Sequence, residues 1–260
     1  MQTENPEKLS VGEFARQMRG QLIPLGSHFA YFFAGVPAGA DDVKEYLADP
    51  IMALPPELRA VLPHTSILFV PYLERGAASG SGDSPVEDLI CFERPKEEQR
   101  IQASRIQTDE GAVLAFSLGG DDVAEYHYRL FHSLARLTAD VAEETVQEQF
   151  AAIVRDELSA GVHGEVDESS WELKRELIRR QRDLRRKTKG FAKYARQALI
   201  DTLTLYLHGI CCDIDVETGP RQIASRHLRR RLEFFNSLFP PPEGYAVFPE
   251  DVNHANEKKA

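Results

Sequence analysis

Apolar residues recur along this chain with two different periods, and the change comes near residue 120. Before it, they fall in short runs bounded by glycine, proline and aspartate, a pattern that predicts strands and short helices. His28–Ala34, Ser66–Leu73, Glu87–Glu93, Ile101–Thr108 and Ala112–Leu118 read as strands. Pro71 inside the second run predicts an edge strand or a bulge, because proline has no N–H to give to a ladder. Asp109-Glu110-Gly111 supplies a turn, and the last three runs together predict an antiparallel meander. Ser10-Val11-Gly12-Glu13 has capping-box spacing and predicts a short helix to about Arg19. Asp41 and Asp42 precede a helix over Val43–Ala48 that Pro50 should stop, and Pro55-Pro56 opens another that reaches Leu62. Gly76–Pro85 is a loop by composition.

After Asp122 the period becomes 3.6. Val123, Tyr126, Leu130, Leu134, Leu137, Val141, Thr145, Phe150, Ile153 and Leu158 follow it, which predicts one long helix from a cap at Asp122 and Glu125 to Gly161. Ser169-Ser170-Trp171-Glu172 is a second capping box and predicts the start of a basic helix. Gly190 either ends that helix or is absorbed in it, and Phe191–His208 continues as a more apolar one. Leu177, Leu184, Phe191, Ala198 and Leu205 are spaced by seven, as in helices packed along each other, and a short connection favours an antiparallel pair. Ser225 should cap a last helix with Leu228, Leu232 and Phe235 on one face, stopped by Pro240-Pro241-Pro242. The predicted class is α+β. A small, mostly antiparallel sheet with short helices occupies residues 11–120, and long helices packed as a hairpin or bundle occupy 121–250. Residues 1–10 and 251–260 are read as disordered tails. Whether the two halves share a core stays open.

Composition adds less than pattern. The chain has 260 residues, 42% apolar and 28% charged, which is ordinary for a globular protein. No run of 18 apolar residues is present, and residues 1–10 lack the apolar core of a signal peptide. Three cysteines, Cys91, Cys211 and Cys212, do not make a disulfide framework, so a reducing, cytoplasmic compartment is expected. Charge changes the picture more. Between Glu172 and Arg196 eleven Lys/Arg face three Asp/Glu, a local +8 that leaves −18 for the rest of a chain whose total is −10. Such a split asks for an acidic partner to the basic segment, inside the fold or outside it.

Two stretches are candidates for a site. In the first, His208 to Glu217, alternation after Gly209 predicts a strand with Cys211, Asp213, Asp215 and Glu217 on one face. Thiolate and imidazole suit zinc and clustered carboxylates suit a harder divalent cation, so His208, Cys211, Asp213, Asp215 and Glu217, with His127 from the long helix, form a candidate metal set. The second is the basic stripe of Arg175, Arg179, Arg182, Arg185, Arg186, Lys189 and Lys193, with Arg229, Arg230 and Arg231 as a further cluster. Charge runs of this kind are most often solvated helix faces. His163-Gly164-Glu165 matches half of the zinc-deaminase signature, but the Pro-Cys-x-x-Cys half is missing. Phosphate-binding glycine loops, a serine nucleophile elbow and the helical zinc-protease pair are also missing. The expected function is a non-catalytic binding or assembly protein that meets an acidic partner through its basic helical surface. The alternatives are a metal-dependent hydrolase around His208–Glu217 and a nucleic-acid-binding regulator.

Overall fold

The computed structural model describes residues 8–35, 37–76, 87–119, 123–180, 186–212 and 221–248. The class is α+β as predicted, and the chain divides into two compact units, Met1–Ala48 with Pro63–Arg129 and Asp49–Leu62 with Leu130–Ala260. The division lies inside a helix rather than at the change of period near residue 120. It also gives the short helical stretch 49–62 to the helical unit.

In the first unit Ser10 starts α1 (Val11–Met18) as its spacing predicts. Ser10 Oγ accepts from Glu13 N at 3.2 Å, and Glu13 Oε2 accepts from Ser10 N at 3.0 Å. Ordered structure reaches back into the stretch read as a tail, because Leu9–Ser10 form β1. Two sheets replace the single expected one. The five-stranded sheet runs β2 (Ile23–Leu25), β3 (Phe29–Phe33), β4 (Thr65–Val70), β9 (Gly111–Ser117), β8 (Ala103–Thr108). The four-stranded sheet runs β1, β6 (Leu89–Cys91), β5 (Tyr72–Glu74), β7 (Arg100–Ile101). Most pairings are antiparallel, but β3–β4 and β4–β9 are parallel. Of the predicted meander only the β8–β9 hairpin exists.

Pro71 has a different role from the predicted edge or bulge. β4 is the central strand of its sheet, and its ladder stops at Val70 because the next residue has no N–H. The chain then leaves that sheet, and β5 begins in the other one. β4 is buried on both faces, which is why its sequence is a continuous apolar run and not an alternating one. Leu68 and Val70 join Val11, Phe14, Leu73 and Ile90 in one core. On the opposite face Phe69 stacks on Phe33 with ring centroids 4.4 Å apart. Pro50 also differs from expectation. α2 (Ala40–Val43) passes through a π-helical turn, Lys44–Ala48, into α3 (Asp49–Met52), so Pro50 stands at the second position of a helical segment. The wider π turn lets the path continue where a proline ring would otherwise meet the carbonyl four residues back.

The second unit is helical. α4 (Pro56–Val61) has proline at its first position, as predicted. The long helix is two: α5 (Val123–Val141) and α6 (Glu144–Ser159). Val141 is 44% exposed and Thr145 is exposed too, so the apolar register has lost its face where the helix breaks. Glu143 is extended (φ −55°, ψ 146°), and Gln147 Nε2 donates to Ala142 O at 3.0 Å, satisfying a carbonyl at the end of α5. Glu143 and Glu144 suit the positive start of a new helix. α7 (Glu168–Arg180) begins one residue before the predicted capping box, and the cap is Asp167, whose Oδ1 accepts from Ser169 N at 2.9 Å.

α8 (Lys189–Cys211) starts at Thr188, so Gly190 lies in its first turn. It is buried around most of its circumference, from Phe191 through Ile210, and forms the axis of the unit. Its buried Thr202 and Thr204 hydroxyls donate to the carbonyls of Ala198 and Ile200 at 2.7 and 2.8 Å. Early α7 meets the middle of α8 where Ser170 N donates to Asp201, and Leu177 lies beside Gly190 in its first turn. The two helices are therefore antiparallel, as predicted. α9 (Ser225–Leu238) has Ser225 as its first helical residue and not as its cap.

The connection from α6 to α7 is tightly placed. Glu165 N donates to Arg221 O at 2.9 Å, and Ile223 N donates to Glu165 O at 3.2 Å. Gly164 has φ +77°, and a Cβ there would lie 2.2 Å from Gln222 O, a backbone atom. Gly161 also has positive φ (+67°) but faces open space. Gly164→Ala is expected to cost about 3 kcal/mol or more, and Gly161→Ala only about 1 kcal/mol. Guanidinium unfolding of the two variants beside the parent checks both values.

Candidate functional site

Glu165, dismissed with its half motif, stands at the centre of the most highly charged interior of the molecule. Glu157 on α6, Glu165 before α7, Lys174 on α7, Tyr194 on α8 and Arg231 on α9 are all buried to 3% exposure or less. Arg231 Nε donates to Glu157 Oε2 at 3.0 Å, and its Nη2 donates to the same oxygen at 2.5 Å. On the other side Arg231 Nη1 donates to Glu165 Oε2 at 2.7 Å and Nη2 to Glu165 Oε1 at 3.1 Å. One guanidinium thus forks onto two carboxylates. Lys174 Nζ donates to Glu165 Oε1 at 3.0 Å and to Gly164 O at 2.8 Å, and Tyr194 OH donates to Glu165 Oε1 at 2.5 Å. Two cations face two anions, so the cluster is neutral.

The balance sets the protonation states. Burial alone would raise the Glu165 pKa, but Arg231 beside it, with Lys174 and Tyr194, holds it below the ordinary carboxylate range. Burial would likewise lower the Arg231 pKa, and Glu165 and Glu157 hold it above the usual value. Burial and Glu165 push the Tyr194 phenol well up. Glu165, Tyr194 and Arg231 are therefore each held in the form that makes these hydrogen bonds. The cluster is closed to water and forms a clasp between α6, α7, α8 and α9.

A signal for this clasp was present in the sequence. Arg231 lies three residues after Leu228 and four before Phe235, inside the apolar register of α9, and both neighbours are buried. Leu232, placed on that face by the sequence, is only half-buried. Lys174 stands in the same way between Ser170 and Leu177, and Glu157 follows Val154 by three.

The candidate metal set is not brought together among the described residues. His208 and Cys211 lie one turn apart on α8, which continues past Gly209 where a strand was expected. The helical hydrogen bonding runs on to its end, with Cys212 N donating to His208 O at 2.8 Å. Asp213, Asp215 and Glu217 lie outside the described residues. In the other unit, His127 is 9% exposed and its Nε2 lies 3.0 Å from Glu45 O. Among the described residues no group of three or more His, Cys, Asp or Glu is placed to hold a metal ion. Cys211 is hydrogen-bonded to Cys212 and partly buried, and both effects push its thiol pKa up, away from a reactive thiolate.

The basic stripe separates into residues with different surroundings. Arg230 pairs with Asp156 at 3.2 Å, and Arg229 pairs with Glu233 at 2.9 Å while lying over the Phe248 ring. Arg175, Arg179, Lys189 and Lys193 are exposed and make no ion pair among the described residues. Arg186 is exposed, and Arg182 and Arg185 lie outside the described residues. Arg175 and Arg179 line a shallow concavity on α7 with Glu172 and Ile178, and Ile178 is 51% exposed at its centre. Trp171 braces this face, with the Arg175 and Arg221 guanidiniums 4.4 and 4.7 Å from its ring. No helix among the described residues is long and apolar enough to cross a membrane.

Among the described residues Asp201 is a buried acid without a cation partner. It accepts from Ser170 N at 3.2 Å and from Gln197 Nε2 at 2.7 Å, and burial pushes its pKa up to about 6. The folded chain therefore holds this proton more tightly than the unfolded chain, whose value is near 3.8. Its stabilising contribution is complete below about pH 4 and is lost as the pH rises towards 6. Asp201→Asn should remove that slope and raise stability at pH 7 by on the order of 1–3 kcal/mol. Urea titrations of variant and parent from pH 4 to 7 isolate the difference from the opposite, low-pH loss at Glu165. Arg231→Met should cost about 3–5 kcal/mol by leaving two buried carboxylates unmatched. Arg230→Gln, at the surface, should cost less than about 1 kcal/mol by the same measurement.

Comparison with known protein families, with curated proteins and with solved structures finds no match.

Proposed function

We propose that this is a non-catalytic binding or assembly protein whose helical unit meets an acidic partner through the outer face of α7. The observation that carries this reading is Ile178, half exposed between Arg175 and Arg179, neither of which makes an ion pair among the described residues. An apolar side chain flanked by two guanidiniums that make no ion pair among the described residues suits a partner surface that offers an apolar contact with carboxylates around it. The buried charges lead away from catalysis. Glu157, Glu165, Lys174 and Arg231 are matched to one another and closed to solvent, so they offer no group to a substrate.

Charge reversal at Arg175 and Arg179 together, with Ile178→Ser as a second variant, tests the reading. Neither change touches the buried clasp, so unfolding midpoints should stay close to the parent. Proteins captured by the parent and identified by mass spectrometry should be acidic. Their affinity should fall at least tenfold in both variants, and more steeply in low salt for the charge reversal. Retention of the same proteins by the reversed variant would overturn the proposal. A steep linear dependence on salt with nucleic acid as the captured species would replace it with phosphate-backbone binding.

A further inference from the structure

A second concavity of about 420 Å³ lies in the helical unit between α6 and the first half of α8, with Ala139 of α5 also in its lining. Its volume is within the range of small-molecule sites. Phe191, Ala195 and Leu199 from α8 and Ala151 from α6 give it an apolar floor. Arg155, Lys187, Lys189 and Arg196 contribute cationic groups to the lining, against Glu144 and Glu148.

Two of those cations are already matched. Lys187 pairs with Glu148 at 3.0 Å, and Arg196 pairs with Asp140. The other two are not. Lys189 is exposed with no ion pair among the described residues. Arg155 lies over the Phe191 ring, 4.9 Å from its centroid, and its guanidinium makes no ion pair among the described residues. Its Nε is shielded from solvent and has no hydrogen-bond partner among the described residues. A shielded N–H without an acceptor is costly, and a guanidinium stacked on an aromatic face presents its edge as a planar fork suited to a carboxylate. The first turn of α8, through Thr188 and Lys189, lies in the same lining and adds the positive end of a 23-residue helix.

The geometry points to a binding site for an organic monocarboxylate with an extended apolar body, its head held by Arg155 at the start of α8 and its body lying on Phe191, Ala195 and Leu199. The occupant is a small molecule, because the site is concave, of small-molecule volume, and has an apolar floor beneath its charged rim. Its charge is negative, because the cations of the lining outnumber the acids and one acid is neutralised within it. This site is separate from the outer face of α7, since the two linings share no residue.

The test uses the full chain with decanoate and 2-naphthoate as probes, and decanol and decyltrimethylammonium as controls, by calorimetry and ligand-observed NMR. At least one carboxylate should bind saturably with one molecule per chain, and both controls should bind at least tenfold more weakly. Arg155→Gln should weaken the carboxylate at least tenfold without lowering the unfolding midpoint appreciably, because no ion pair is lost. Ala192→Phe, which fills the groove from an exposed position in its lining, should abolish binding. Absence of saturable binding by both carboxylates overturns the proposal, as does equal affinity for decanol or unchanged affinity in Arg155→Gln. If the parent ignores both carboxylates while Ala192→Phe removes a captured protein, the groove seats a polypeptide and the small-molecule site falls.

Discussion

The helical unit depends on keeping Arg231 dry. A guanidinium withdrawn from water loses several kcal/mol of hydration even after the protein relaxes around it. Only close, well-aligned acceptors repay that loss, and here they must come from different places at once. Glu157 arrives on α6 and Glu165 on the strand-like connection before α7. Glu165 in turn needs Lys174 and Tyr194 to occupy its remaining acceptor capacity. Moving any one of α6, α7, α8 or α9 by an ångström or two would leave a buried charge short of a partner. An apolar plug could supply as much stability, but it would not fix the helices against sliding. The fork geometry does, because bidentate pairing admits a narrow range of positions.

The same constraint explains the backbone around Gly164. Lys174 donates its second hydrogen bond to the Gly164 carbonyl, and the peptide that follows holds Glu165 against the 221–223 segment. The close approach to Gln222 leaves no room for a Cβ. Charge, loop conformation and helix placement are therefore one device. Asp201 completes the picture by contrast. It is buried nearby on α8 with neutral donors only, and so its carboxylate is held at a pKa near 6 while Glu165, surrounded by cations, stays ionised. Two acids in one helical core behave oppositely because one has a cation within reach and the other does not.

Much of the fold was legible where local physics decides it. The Ser10–Glu13 box, Pro56 at a helix start, the turn before β9 and the apolar run of α8 all act over a few residues, and their outcomes followed. What was misread depends on partners distant in sequence. Pro71 looked like an edge feature because proline is excluded from central ladders, and the strand before it is in fact central and simply ends there. The α5–α6 break is locally weak, visible only as Val141 and Thr145 standing in an apolar register that no core covers. Arg231 and Lys174 were counted with the solvated cations because their residue types are seldom buried. Their positions said otherwise: each occupies an inward step of its helix, between neighbours that are buried. The basic residues also differ in their surroundings: Lys189 lines a different concavity from Arg175 and Arg179, and Arg229 and Arg230 of the further cluster are paired.

The basic segment thus carries two meanings on one helix. Ser170, Lys174 and Leu177 turn inward on α7, and Trp171, Arg175 and Ile178 follow each by one residue, about 100° further round. The inward cation fixes the helix to the core through Glu165, and the outward ones stand on the surface it holds in place. A side chain on an anchored helix loses less freedom on meeting a partner than one on a loop, so more of each contact appears as affinity. Trp171 adds to this by holding the Arg175 guanidinium against its ring. A local charge of +8 in an acidic chain is therefore not one feature with one purpose. One of its cations, Lys174, is buried against Glu165, while Arg175 and Arg179 stand exposed on the same helix.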